Sequence, residues 1–214
     1  MRNDCPLVVF GAAVLVDLGS LLAGWDPGHL ITKPLLMPLL AFHAYTRGAP
    51  KILLAALLLG WGGDVFLLSS ADPAFLVGMA CFAGGHVCYL VAFGRGRTSP
   101  LLGAAYAAAL VATVAALWPD LPADLRIPVA GYSLLLTAMA YRSSRLGLWG
   151  GIGGALFLLS DTLIATGVAD WPQLPRPDFW VMATYIAAQT LLARALLAEA
   201  GTPAQAYRES RTSV

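Results

Sequence analysis

Three aspartates lie inside long apolar stretches of the sequence, where charged side chains are rare: Asp17, Asp64 and Asp161. A charge at the centre of a bilayer costs at least ~2.5–3.5 kcal/mol, so such carboxyls either pair with neighbours or take part in chemistry. A buried carboxyl can act as a general acid or base, because its surroundings decide whether it carries a proton. The three aspartates are therefore candidate site residues, and a role in helix pairing is equally open for Asp17.

Other polar side chains interrupt the same apolar stretches. Lys33 and His86 are ionisable, and a second group can position a substrate or a water molecule through hydrogen bonds: Tyr89, Tyr132, Tyr185 and Gln189. A structural network that holds the helices together is the alternative interpretation of the whole set. Four further residues are better explained by packing or interface positions: His43, Cys81, Cys88 and Ser133.

The composition places these residues in a membrane protein. Of the 214 residues, 58% are hydrophobic and only 12% charged, and the mean hydropathy is +0.73. A soluble domain carries about 25% charged residues, so this balance excludes an ordinary soluble fold. The net charge of +1 provides no basic surface for nucleic acid. Three cysteines without a CxxC or Cys/His spacing predict neither a disulfide framework nor a metal site.

Eight apolar segments predict an all-α, polytopic bundle of about eight transmembrane helices, since roughly 20 apolar residues cross the hydrocarbon core. The predicted limits are 6–24, 30–45, 50–69, 74–94, 100–117, 127–141, 146–168 and 178–197. The first segment is interpreted as a retained span because Asp17 interrupts it and no clear cleavage site follows. We expect one membrane domain over residues 1–200 and a polar cytoplasmic tail over 201–214.

The charges flanking these segments predict an orientation. Most basic residues fall at the N-terminus, in the even-numbered loops or at the C-terminal end, and the odd-numbered loops are rich in aspartate. By the positive-inside rule both termini are cytoplasmic. The turn cluster WDPGH at 25–29 is assigned to the first outer loop. The expected location is the bacterial inner (plasma) membrane.

This orientation brings the polar residues to a common depth. Spans one, three and seven run outward, and each places its aspartate about two turns short of the outer end at 1.5 Å per residue. In span four, spacings of three, four, four and three put five residues on one helical face: Phe75, Gly78, Phe82, His86 and Tyr89. An aromatic stripe that includes a histidine and a tyrosine is typical of a pocket for an amphiphile.

Five short motifs, in order from span two to span eight, resemble the YhhN family, which includes the TMEM86 lysoplasmalogenases. They are Lys33-Pro34, Gly63-Asp64 followed by VFLL, F-x2-G-x3-F-x3-H-x2-Y in span four, Ser160-Asp161, and Ala188-Gln189. The resemblance implies hydrolysis of the vinyl ether bond of lysoplasmalogens to a fatty aldehyde and a glycerophospho head group. Among the three aspartates it favours Asp64 and Asp161.

The implied chemistry requires a proton at the alkenyl carbon and then water at an oxocarbenium-like cation. Glycosidases handle a similar cation with one protonated and one ionised carboxyl. We therefore expect Asp64 and Asp161 to be catalytic, with His86 orienting them or exchanging protons. Lys33 is expected to meet the phosphate or pair with an aspartate. Tyr89, Tyr132, Tyr185, Gln189 and Asp17 are expected to contact the substrate.

Other functions remain open from the sequence. A small proton-coupled transporter also carries intramembrane Asp, His and Lys residues, and a hydrolase of another lysolipid needs the same kind of pocket. A metal hydrolase is less well supported, because one intramembrane histidine and scattered aspartates do not form a ligand motif.

No cofactor or metal is expected. The expected partners are a lysophospholipid and the bilayer, with no nucleic acid; the sequence gives no protein partner, chain-length preference or acid assignment between the aspartates.

Overall fold

The computed structural model describes residues 5–69 and 71–212, with no description of the side chains of 72 and 202–212. Eight α-helices and one short 3-10 helix make up this part of the chain. The α-helices are α1 (Cys5–Ala23), α2 (Asp26–Thr46), α3 (Lys51–Phe66), α4 (Asp72–Phe93), α5 (Pro100–Leu117), α6 (Arg126–Ser143), α7 (Gly147–Val168) and α8 (Pro177–Thr212). The predicted all-α fold class is therefore confirmed, although Arg2 and residues 213–214 lie outside the described residues.

The helices coincide with the eight predicted segments except at some ends. The assignment of WDPGH to a loop was wrong, because α2 already begins at Asp26. Proline at the first helical positions costs no hydrogen bond, because the N–H groups there have no partner within the helix. An acidic side chain in the first turn interacts favourably with the positive end of the helix dipole. Asp26 and Pro27 are therefore suited to start this helix. Helix α8 continues to Thr212, through most of the segment predicted as a polar tail.

Five helical stretches of the described chain are long and apolar enough to cross a membrane: Cys5–Ala23, Pro73–Phe93, Pro100–Leu117, Arg126–Val168 and Pro177–Gly201. The fourth contains both α6 and α7, which the 3-10 turn Ser144–Leu146 joins. Helix α3 has only 16 residues, and α2 carries polar residues such as His29 and Lys33. The described part of the chain is therefore all-helical, with several helices that are long and apolar enough to span a membrane.

Seven helices enclose the interior and α5 lies outside them. Helix α8 packs against α7, α1, α2 and α3, while α4 joins α3 to α6. Helix α5 packs mainly on α6, and large apolar side chains such as Leu101 and Val111 remain exposed on it. An apolar helix with so little protein cover suits a position facing lipid.

Glycines allow the closest helix approaches. A Cβ at Gly63 would lie 2.4 Å from the ring of Phe82, so that ring fits against α3 only because Gly63 has no side chain. A Cβ at Gly154 on α7 would lie 2.8 Å from the backbone oxygen of Ala140 on α6. Small residues at such contacts let helices pack closely where the hydrophobic effect drives association weakly.

Prolines in α2 create a further helix contact. Pro38 has no N–H, so the carbonyl of Pro34 loses its usual partner within the helix. The indole N–H of Trp61 on α3 donates to that carbonyl at 2.9 Å. The Lys33-Pro34 motif therefore connects α2 to α3 at Trp61, which stands between Gly60 and Gly62.

Side chains fix both ends of the bundle. At the end where α4 stops, Gly94 adopts a φ of +62°, and Arg142 donates to the carbonyls of Gly94 and Gly96 at 2.9 Å each. At the opposite end, Trp171 donates to the Asp120 carboxylate at 2.8 Å. These contacts hold α4 to α6 and the α5–α6 loop to the α7–α8 loop.

Replacement of Gly154 by alanine tests the α6–α7 contact. We expect a loss of roughly 1–3 kcal/mol in unfolding free energy, because the new methyl group meets backbone that cannot rotate away. Gly151→Ala is the matched control on the same helix, since its Cβ would lie 3.6 Å from Ser144 in ordinary contact. Thermal unfolding in detergent should show a lower transition temperature for Gly154→Ala alone; equal transitions would contradict the close packing.

Candidate functional site

Asp161 belongs to a cluster of polar side chains from three helices. The Tyr132 hydroxyl of α6 donates to Asp161 Oδ2 on α7. Nε2 of His86, from α4, lies 3.0 Å from the same hydroxyl. His86 is buried, and its other ring nitrogen, Nδ1, has no hydrogen-bond partner. The predicted catalytic histidine therefore reaches Asp161 through Tyr132.

Asp64 ends a separate chain of hydrogen bonds. Tyr89 on α4 donates to Oε1 of Gln189 on α8 at 2.5 Å. The Gln189 amide donates to the Tyr185 hydroxyl at 3.2 Å, and that hydroxyl donates to Asp64 Oδ2 at 2.8 Å. All four residues are buried. Four residues from three helices therefore form one connected polar network.

Aromatic rings lie between the two networks. Phe82 and Phe157 pack edge to face at 6.3 Å between centroids, and each packs against Tyr185 in the same manner. Phe157 also packs against His86 at 4.8 Å. Edge-to-face packing holds aromatic rings in fixed orientations. The two rings therefore connect the network of Asp64 to that of Asp161.

An apolar cavity of about 100 Å³ opens beside the Asp161 cluster. Helices α4, α5, α6 and α7 and the end of α3 line it. The polar residues in its wall include Asp161, Tyr132 and Ser133, and the apolar ones include Phe75 and Phe82. A mainly apolar lining with few polar groups suits part of a lipid chain. Asp161 is only partly buried because it faces this space.

The predicted stripe on α4 faces the interior along its whole length. Phe75 and Phe82 line the cavity, and Gly78 lies against the carbonyl of Gly63. His86 and Tyr89 make the hydrogen bonds described above. The five residues therefore share one face, as their spacing predicts, and this face contributes to both polar networks and to the wall of the cavity beside Asp161.

Asp17 makes its contacts on α2. Its Oδ1 accepts a hydrogen bond from Thr32 at 2.8 Å and lies 3.0 Å from His29 Nδ1. Its Oδ2 is buried without a partner. These contacts support the helix-pairing interpretation. His29 was missed in the sequence because WDPGH resembled a turn, although the spacing of four residues from His29 to Lys33 places both on one face of α2.

Lys33 lies near the Asp64 network and is partly exposed. Lys33, Asp17 and Asp161 all lie within electrostatic range of Asp64. Charges at this range interact strongly where the surroundings exclude water. Asp64 thus has one basic and two acidic side chains within this range.

The structure brings the predicted site residues together in three groups. Asp161, Tyr132 and His86 form one group, and Asp64, Tyr89, Tyr185 and Gln189 form another. Asp17 lies apart with His29. Phe157, which contacts members of both larger groups, carries no signal in the sequence beyond its place four residues before Asp161. Among the described residues, no three His, Cys, Asp or Glu side chains are placed to hold a metal ion.

Comparisons with known proteins agree with this arrangement of motifs. The model of the YhhN family matches residues 28–196. Lysoplasmalogenase TMEM86B of Homo sapiens is 37% identical over 145 residues, which cover 68% of this chain and 63% of that protein. The Sus scrofa protein of the same name is 38% identical over 163 residues, 73% of this chain and 70% of its own length.

A second branch of relatives matches more distantly. Lysoplasmalogenase TMEM86A of Bos taurus is 31% identical over 160 residues, which cover 70% of this chain and 66% of that protein. The match with the human TMEM86B protein, by contrast, spans less than two thirds of that relative's length. No solved structure matches the chain. Because the family match extends from the start of α2 almost to the end of the buried part of α8, this protein belongs to the YhhN family.

Proposed function

We propose that this protein is a membrane-embedded hydrolase that cleaves the vinyl ether bond of lysoplasmalogens. The products are a fatty aldehyde and glycerophosphoethanolamine or glycerophosphocholine. Membership of the YhhN family and relatives named lysoplasmalogenases support this substrate class. The observation that carries the proposal is an apolar cavity whose wall holds a carboxyl, Asp161, with a second buried carboxyl, Asp64, within electrostatic range.

The reaction consumes one water and returns both carboxyls to their starting states. A protonated carboxyl gives its proton to the alkenyl carbon remote from the ether oxygen, which leaves an oxocarbenium ion. Water adds to the cationic carbon and loses a proton to the ionised carboxyl, giving a hemiacetal. The hemiacetal hydroxyl then reprotonates the first carboxyl, and the second gives its proton to the departing glycerol oxygen. Asp64 and Asp161 are the two carboxyls in this scheme.

The remaining site residues position these groups. Tyr132 and His86 hold Asp161 at the cavity wall, and Tyr89, Tyr185 and Gln189 hold Asp64. Lys33, partly exposed on α2, supplies a positive charge for the phosphate or for Asp64. Asp17 orients His29 beside this lysine.

We also propose eight membrane crossings with both termini in the cytoplasm of a bacterial cell. The eight helices and the segregation of arginine to one set of loops support this topology. A cysteine placed in the loop between α4 and α5 should react with an impermeant reagent only from the cytoplasmic side. Labelling from outside would contradict the orientation.

Asparagine substitutions test the two carboxyls. Asp64→Asn and Asp161→Asn keep the side-chain shape but can neither donate a carboxyl proton nor accept one. We expect each to lower kcat for vinyl ether cleavage by roughly 10²–10⁴-fold, the usual contribution of a general acid or base. Aldehyde release from lysoplasmenylethanolamine measures the loss.

The matched control is Asp124→Asn, which changes an exposed aspartate in the α5–α6 loop. It should retain the activity of the unmodified protein. Folded Asp64→Asn and Asp161→Asn proteins that also retain full activity would falsify the two-carboxyl site.

A bulky residue on α5 tests whether the cavity holds the alkenyl chain. Ala109 lines the cavity, whereas the neighbouring Ala108 is exposed outside it. Ala109→Trp should lower kcat/KM by about tenfold or more, which corresponds to ~1.4 kcal/mol of lost binding, because the indole occupies the space. Ala108→Trp adds the same volume outside the cavity and should leave kcat/KM unchanged. Equal effects of the two substitutions would show that the chain binds elsewhere.

A further inference from the structure

Two aspartates with different hydrogen-bond networks can have different roles. We propose that Asp161 is the acid that protonates the alkenyl carbon and that Asp64 is its ionised partner. This assignment deepens the proposed vinyl ether hydrolysis and rests on it for its chemistry. The protonation states are inferred from the cavity and the charges beside each carboxyl together with the hydrogen-bond networks, and they are measurable without substrate.

The network of Asp64 has a fixed direction. The Tyr89 hydroxyl is buried, and its hydrogen goes to the carbonyl oxygen of Gln189. The amide N–H of Gln189 must then donate to Tyr185, which leaves the Tyr185 hydrogen for Asp64 Oδ2. In the opposite direction, the Gln189 side-chain amide would be rotated so that its N–H faces Tyr89. The hydroxyl hydrogen of Tyr89 would then be buried without an acceptor, at a cost of about 1–3 kcal/mol. Asp64 Oδ2 therefore accepts and does not donate.

The charges near Asp64 agree with an ionised carboxylate. Lys33, Asp17 and Asp161 lie within electrostatic range of it, and Lys33 is the one among them that bears a positive charge. An ionised carboxyl inside a membrane requires such a counter-charge. The Tyr185 hydroxyl donates a hydrogen bond to Asp64 Oδ2 at 2.8 Å. Asp64 is only 3% exposed, so this hydrogen bond is nearly free of competition from water. A neutral Asp161 removes one of the two carboxylates that oppose a charge on Asp64, while Lys33 and Tyr185 favour that charge.

The Asp161 network leaves one oxygen free for proton donation. His86 Nδ1 is buried without an acceptor, so a hydrogen there would be unsatisfied, and the ring hydrogen belongs on Nε2. Nε2–H then donates to the Tyr132 oxygen, and Tyr132 donates to Asp161 Oδ2. Oδ1 has no hydrogen bond to any described residue. Because the carboxyl faces the cavity, a proton on Oδ1 can reach a bound alkenyl carbon.

The surroundings of Asp161 favour a neutral group. Its side-chain contacts are the uncharged Tyr132 hydroxyl and an apolar cavity wall, and no lysine or arginine forms an ion pair with it in the described part of the chain. An uncharged carboxylic acid costs far less in such a place than a carboxylate. Asp161 and Asp64 thus lie in surroundings that favour opposite protonation states.

Infrared spectroscopy tests the assignment, because a protonated carboxyl has a C=O stretch well separated from the bands of carboxylates. The substrate-free protein in detergent should show this band at neutral pH. Asp161→Asn should remove it, while Asp64→Asn and the control Asp124→Asn should retain it. Loss of the band in Asp64→Asn, or its persistence in Asp161→Asn, would overturn the assignment.

A second pair of variants covers the case in which an asparagine variant does not fold. Tyr132→Phe removes the hydrogen bond to Asp161 Oδ2 and should shift the C=O band, whereas Tyr185→Phe should leave its frequency unchanged. The reverse pattern would identify Asp64 as the protonated group. Because no substrate is present, these spectra stand apart from turnover: a protein that cleaves no alkenyl lysolipid refutes the proposed function and leaves the protonation states measured.

Discussion

The structure depends on one constraint, which is that a carboxyl group inside a membrane must find its polar partners within the protein. Each of the three aspartates within the helices meets this constraint with side chains from neighbouring helices: Asp17 with α2, Asp64 with α8, and Asp161 with α6. These hydrogen bonds cross helix interfaces, so they fix the rotation and register of the helices. They also offset part of the free-energy cost of placing a carboxyl group in the interior. The glycines of α3 and α7 follow from the same need, because Gly63 and Gly154 let the helices come close enough for such contacts.

The residues of the site could be predicted because they break an apolar pattern. Asp64, His86 and Asp161 are conspicuous within long hydrophobic segments, and the three- and four-residue spacing on α4 identified its inner face. Their pairing could not be predicted, since whether Tyr132 reaches Asp161 or Asp64 depends on helix neighbours that sequence spacing does not specify. His29 was missed for a local reason: Asp26, Pro27 and Gly28 favour a turn in isolation, yet the first two are equally suited to the first turn of a helix.

The position of the cavity relates the fold to its proposed substrate. The cavity lies between the enclosed helices and the peripheral α5, so its wall is partly a helix that faces lipid. A single-chain amphiphile can approach such a cavity from the bilayer without crossing the polar interior. Asp161 lies in the wall of this space, while Asp64 lies in the neighbouring network, which Tyr185 joins to the rings of Phe82 and Phe157. This difference in surroundings allows one carboxyl to stay neutral and the other to be charged, although the two lie within electrostatic range of each other.

The central claim is that the two carboxyls protonate and hydrolyse a vinyl ether, and a panel of matched lysolipids tests it most directly. Purified protein is given alkenyl, alkyl and acyl lysophospholipids of one chain length and one head group, and the released aldehyde and the released glycerophospho head group are both measured. The account predicts aldehyde from the alkenyl lipid alone, because only its double bond can accept a proton and form the stabilised cation. Hydrolysis of the acyl lipid, or transport of the alkenyl lipid without aldehyde release, would contradict it.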